Sequence, residues 1–156
     1  MSRVFLVHLR VAEFDDADHC MMGPESPISC SDVLDQSPDG IIYADQDGMI
    51  RLWNLGAQAI FGYLASEVLG KSLDILIPER FRAAHWKGFN HAMATGQPLH
   101  VGRVLRTRSV HKNGNKLYVD LTFGMVKDAM GTIRGSVAMV RDATGQHLRE
   151  EQAALK

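Results

Sequence analysis

Cysteine is scarce in this chain, and net charge is nearly absent. Cys20 and Cys30 are the two cysteines among 156 residues. Both lie outside the patterned core without metal-ligand spacing, which argues against a zinc site and makes free thiols in a reducing cytosol the expectation. With 17 Lys and Arg against 18 Asp and Glu, the formal charge is −1, and nothing electrostatic points to nucleic acid or to an acidic membrane surface. No apolar run approaches the roughly 20 residues that span a bilayer. The opening stretch, 1–20, has a short apolar patch broken by His8, Arg10 and Glu13 and lacks a small-residue cleavage site, so it is not read as a signal peptide. Gly-x-Ser-x-Gly elbows, phosphate loops, internal repeats and low-complexity tracts are missing as well. Catalysis is therefore not expected. Asp120 reads as part of a solvated strand face and Glu79 as a first-turn acid favoured by the helix dipole.

What is present is an ordinary core-forming composition, 46% hydrophobic and 22% charged, enough for one cytoplasmic domain with short extensions. Residues 1–28 are irregular and read as an N-terminal arm. A helical lead-in over Ser29–Asp35 ends at Gln36-Ser37-Pro38-Asp39-Gly40, a dense turn signal. Ile41–Ala44 and Met49–Trp53 form a hairpin around Asp45-Gln46-Asp47-Gly48. Asn54 is the candidate N-cap of a helix through Tyr63 that buries Ala57, Ile60 and Phe61, and Trp53 reads as core. Ala65–Gly70 and Leu73–Leu76 are further short helical segments.

The spacing predicts a longer helix from Pro78 to about Thr95, closed by Gly96. Phe81, Ala84, His85, Gly88, Phe89, Ala92 and Met93 recur at intervals of three and four and make one stripe with a histidine in its middle. Three strand-like segments follow. Val101–Val110 is arginine-rich, with Arg103, Arg106 and Arg108 expected on a solvated or interface face. His111-Lys112-Asn113-Gly114 is a hairpin turn. Leu117, Val119, Leu121, Phe123 and Met125 then alternate with polar residues and point inward. In the last strand Ile133, Gly135, Val137 and Met139 share one side, and Val137 and Met139 are counted with the pocket wall. A polar helical tail, 145–156, closes the chain; its Leu148 and Leu155 are too few for a coiled coil. A one-sheet cup with a histidine pointing into it is a binding pocket, and the expectation is a sensor.

The succession Ser37-Pro38-Asp39-Gly40-Ile41-Ile42, Trp53-Asn54, Phe61-Gly62-Tyr63, Glu67, Gly70, His111-Lys112-Asn113-Gly114 and Val140-Arg141-Asp142-Ala143-Thr144 resembles a PAS domain. The resemblance implies an α+β fold over residues 29–144, a five-stranded antiparallel sheet with helices packed on one face and a pocket beneath the longest helix. Asp142-Ala143-Thr144 is similar to the Asp-x-Thr element that leads into output segments. Within that family, Ile77-Pro78-Glu79-Arg80-Phe81-Arg82-Ala83-Ala84-His85 resembles the heme-binding PAS domains of bacterial oxygen sensors, the FixL and Dos types. Their proximal iron ligand falls on His85, and their apolar distal residues on Leu121 and Phe123. The position of their oxygen-contacting arginine falls on Leu105, with Arg103 and Arg106 nearby, so redox or CO/NO sensing stands beside oxygen.

The resemblance thus implies b-type heme held by His85, with Gly88 and Phe89 on the helix, Leu105, Leu121 and Phe123 across from it, and Val137 and Met139 on the last strand. The other readings are a small organic ligand, or an empty pocket in a module serving dimerisation only. The flavin-type Asn-Cys motif is missing, since that region reads Gly70-Lys71-Ser72-Leu73-Asp74. His91 is expected in solvent and His100 at the pocket rim, while His8, His19, His111 and His147 are expected to be solvated. A homodimer and a downstream kinase, cyclase or regulator, as in two-component signal transduction, are the implied partners.

Overall fold

The computed structural model describes residues 27–98 and 102–155. Its elements are α1 (Cys30–Gln36), β1 (Gly40–Asp45), β2 (Ile50–Trp53), α2 (Leu55–Phe61), α3 (Ala65–Val68), a 3-10 turn (Leu73–Ile75), α4 (Glu79–Thr95), β3 (Leu105–Val110), β4 (Lys116–Lys127), β5 (Ile133–Asp142) and α5 (Thr144–Ala154). The strands form one antiparallel sheet in the order β2-β1-β5-β4-β3. The connection from β2 to β3 carries α2, α3, the 3-10 turn and α4 across one face of that sheet.

Period-two alternation decides what each strand presents to that face. Ile42 and Ala44 of β1, Thr107 and Ser109 of β3, and Val119 and Leu121 of β4 turn inward. On β5 the sequence expectation is inverted. Pairing of Ile42 with Ala138 and of Leu121 with Val140 puts Ser136, Ala138 and Val140 inside. Val137 and Met139 therefore face away from the cavity, and Met139 is 41% exposed. The physical reason is that both faces of β5 are apolar enough to look like a core. A one-residue change of parity swaps the two sets.

The core joins Ile42, Ile50, Trp53, Phe61, Val68, Leu76, Val119 and Val140. One amide organises its edge. Asn54 is 1% exposed, and its Oδ1 accepts from Ile41 N at 2.7 Å and from Ala57 N at 2.9 Å. Its Nδ2 donates to Leu34 O at 2.8 Å and Asp39 O at 3.0 Å. The N-cap of α2 therefore also ties the end of α1 to the start of β1. The Trp53 indole packs on Phe61 at 5.4 Å and donates to Tyr63 O, in keeping with a core role.

Four further expectations change. Cys30 is disulfide-bonded rather than a free thiol, because pairing is a tertiary contact that spacing in the sequence does not report; Cys20 lies outside the described residues. The tail helix begins at Thr144 and lies on the sheet face away from α4. There His147 is stacked on Tyr118 at 3.6 Å instead of being solvated. His111 is half-buried in its turn and accepts from Asn113 N through Nδ1. Finally, Arg103 sits in the loop before β3, apart from the outward pair Arg106 and Arg108.

Asn54→Ala removes four hydrogen bonds at once and leaves the buried Ile41 N and Ala57 N without their side-chain acceptor. It is expected to cost about 3 kcal/mol of folding stability, read from urea denaturation; a loss under about 1 kcal/mol would contradict the role assigned to this amide.

Candidate functional site

Helix α4 starts after Pro78, whose missing N–H costs nothing at a helix start, and stops at Gly96 in the left-handed conformation with φ 72°. Its stripe faces the sheet across a cavity of about 410 Å³, within the roughly 300–1,000 Å³ typical of ligand pockets. The helix wall is Phe81, Ala84, His85, Gly88, Phe89, Ala92 and Met93, all seven members of the sequence stripe. Their small residues keep the helix side shallow. The opposite wall is Leu105, Thr107 and Ser109 of β3, Val119, Leu121, Phe123 and Met125 of β4, and Ser136, Ala138 and Val140 of β5.

Polar side chains in this cavity are few: His85, Thr107, Arg108, Ser109 and Ser136, with Arg108 donating to the Tyr118 hydroxyl. Ser109 donates its hydroxyl to Leu76 O. His85 is different, because its Nδ1 is buried without any hydrogen-bond partner. Burial pushes the imidazole below its ordinary value, and the carboxylate of Asp74 partly opposes that shift. The ring is therefore neutral near pH 7, the form that bonds metals and accepts protons. Its neighbours are aromatic: Trp86 edge-on at 5.2 Å and Phe89 at 6.0 Å. An unpaired buried nitrogen costs on the order of 1–3 kcal/mol, so a ligand that bonds Nδ1 would offset that cost.

The structure brings together His85, Gly88, Phe89, Leu105, Leu121 and Phe123 and leaves out Val137 and Met139. His91 is exposed on another side of α4, and His100 lies outside the described residues. Trp86 and Asp74 were not legible as site residues. Trp86 falls one position outside the stripe, and Asp74 belongs to a turn whose contact with α4 is tertiary. Thr107, Ser109 and Ser136 were missed too, although their alternation with Arg106, Arg108 and Val137 was a usable signal.

On the far face, Arg106 makes a bidentate bond to Asp120 at 2.7 and 2.9 Å and reaches Glu150 of α5 at 2.7 Å. It therefore points away from the cavity. Thr144 N donates to Asp142 Oδ1 at 2.8 Å, while Tyr118 N donates to the Thr144 hydroxyl at 3.0 Å. These bonds give the Asp-x-Thr element its physical content. Among the described residues, no helix is long and apolar enough to cross a membrane.

Five antiparallel strands in this order, with a helix spanning a ligand-sized cavity, define a pocket-bearing α+β module. The family model for the PAS fold matches residues 31–143, and the chain belongs to the PAS family. Oxygen sensor protein DosP of Escherichia coli K12 is 28% identical over 137 residues, which is 88% of this chain and 16% of DosP. Sensor protein FixL of Bradyrhizobium diazoefficiens is 28% identical over 126 residues, 80% of this chain and 24% of FixL. The cell-division control histidine kinase PdhS of Brucella ovis is 32% identical over 124 residues, 77% and 11% of the two chains. The chain thus spans a quarter or less of each of these signalling proteins.

Among solved structures, a PAS domain from Colwellia psychrerythraea superposes with TM-score 0.64 at 20% identity, covering 72% of this chain and 92% of that one. An RNA-binding light-oxygen-voltage receptor gives TM-score 0.67 at 19% identity, covering 85% and 41%. At these identities the structural likeness is one of fold.

The depressed His85 value carries a sign. The unfolded chain binds a proton at this ring near its ordinary value of about 6.5, while the folded ring resists it. Stability is therefore present above about pH 6.5 and lost as pH falls below it toward the depressed folded value. Urea midpoints across that range are expected to fall in the wild type and to fall less in His85→Leu; equal slopes would place His85 in water.

Proposed function

We propose that this PAS domain is a sensory module whose cavity takes b-type heme on His85. The observation that carries the reading is the neutral imidazole with a buried, unpartnered Nδ1 in a mainly apolar cavity of ligand size. The residues suit the group. His85 offers a nitrogen to iron, Gly88 and Phe89 offer a flat, shallow helix wall, and Leu105, Leu121 and Phe123 exclude water opposite. When bound, heme supplies an iron centre that responds to a diatomic gas or to redox state.

The chain's own residues favour some signals over others. The position matched to the oxygen-contacting arginine is Leu105, which lines the cavity. Arg106 is engaged by Asp120 and Glu150 on the far face. Arg108 does border the cavity, but its guanidinium donates to the Tyr118 hydroxyl at 2.7 Å, so CO, NO or redox state stands level with oxygen as the signal.

The output follows from one strand. Val119 and Leu121 of β4 line the cavity, while the alternate residues Tyr118 and Asp120 hold α5 through His147, Thr144 and, by way of Arg106, Glu150. A ligand shifts this arrangement only by its differential affinity for two states. Residues 29–144 form the sensory unit in this reading, 1–28 an arm and 145–156 a linker. A homodimer and a kinase, cyclase or regulator domain are its partners. DosP, an oxygen sensor protein, and FixL, a sensor protein, support it by likeness.

The test is reconstitution of the purified chain with hemin. A saturable Soret band at one heme per chain is expected, lost or strongly weakened in His85→Ala, with altered amide exchange in α5 on loading. A protein that stays colourless overturns the heme reading. Mass spectrometry of co-purified small molecules then decides between an organic ligand and an empty dimerisation module.

A further inference from the structure

The cavity that gives α4 its ligand-facing wall also deprives that wall of packing against the sheet. Something else must fix the rotation of α4 about its own axis. At a helix radius of about 5–6 Å, a turn of roughly 10° carries a side-chain tip about 1 Å, a displacement on the scale at which binding chemistry fails. The tethers lie beside the stripe, on Arg82 and Trp86, one helical turn apart. Arg82 donates to Ile77 O at 3.2 Å and to Asp74 O at 3.1 Å. The Trp86 Nε1–H donates to Asp74 Oδ1 at 2.8 Å.

Trp86 is held from a second side. Gly48, at φ 73° in the β1–β2 turn, lies so close that a Cβ there would run into the indole ring. The ring is thus seated on the hairpin and bonded to the 3-10 turn. Its other contacts are Phe89 at 5.3 Å and 76°, and His85 edge-on at 5.2 Å and 77°. Rings meeting edge to face prefer a defined mutual orientation, so the fixed indole constrains the imidazole next to it.

We infer that Trp86 and Asp74 are a positioning pair for His85: the indole–carboxylate bond, seated on Gly48, sets the rotation of α4 and the direction in which the imidazole enters the cavity. This rests on the reading of His85 as the group that bonds the ligand. Neither residue needs to touch the ligand.

The test uses Asp74→Ala, Asp74→Asn and Trp86→Phe in the full chain. In ligand-free protein, Asp74→Ala is expected to shift the Trp86 indole N–H and the His85 ring signals in NMR spectra. Asp74→Asn keeps an acceptor oxygen and, at a pH where His85 is neutral in every variant, is expected to keep both signals near wild type. With hemin as the probe, Asp74→Ala is expected to bind roughly tenfold or more weakly, with rescue by Asn. Trp86→Phe keeps a ring and loses only the donor; it is expected to move the His85 signals as Asp74→Ala does, and it carries the test should Asp74→Ala fail to fold. Unmoved His85 signals in both donor-loss and acceptor-loss variants overturn the pairing, as does an Asn variant as impaired as Ala. Should wild type take up no hemin, the heme reading falls while the ring signals still decide the positioning claim.

Discussion

A helix that spans a cavity has to be held by something other than the layer beneath it, and that constraint shapes this domain. The stripe from Phe81 to Met93 looks across about 410 Å³ at the inner faces of β3, β4 and β5. Packing is relinquished there in return for room. The surrounding structure compensates at the margins: Asn54 joins α1, β1 and α2 with four hydrogen bonds. Gly96 ends α4 in a conformation that L-residues disfavour. Arg82 and Trp86 anchor the helix to the turn before it. A single imidazole nitrogen without a partner is left inside, and the proposed chemistry is built on it.

Much of this was legible in the sequence where local rules act alone. The stripe of α4, the N-cap at Asn54, the turn at His111–Gly114 and the alternation of β4 each follow from periodicity or capping chemistry, and the structure reproduces all of them. The face of β5 was not legible. Val137 and Met139 are as apolar as Ala138 and Val140, and only pairing with β1 and β4 decides which pair looks inward. Trp86 and Asp74 escaped for a related reason, since their bond joins two elements and leaves no mark on either one. His147 was hidden likewise: a stack on Tyr118 requires knowing that α5 folds back onto β4.

The proposed sensing rests on chemistry divided between the two faces of one strand. β4 presents Val119, Leu121 and Phe123 to the cavity and Tyr118 and Asp120 to the far side, where α5 is bound. A ligand that displaces the inner row by a fraction of an ångström acts on residues that grip the outgoing helix. Leu105 in place of a cavity-facing arginine bears on selectivity. In the proposed heme-loaded state, bound oxygen would lack that donor, while ligands needing no hydrogen-bond donor would be affected less.

The proposed chemistry is a bond between His85 and iron, which vibrational spectroscopy detects. In the reduced, heme-loaded protein an iron–histidine stretching band is expected in the resonance Raman spectrum, absent from His85→Gly and restored when free imidazole is added. A heme-loaded wild type without that band, or one whose band persists unchanged when His85 is removed, would contradict it.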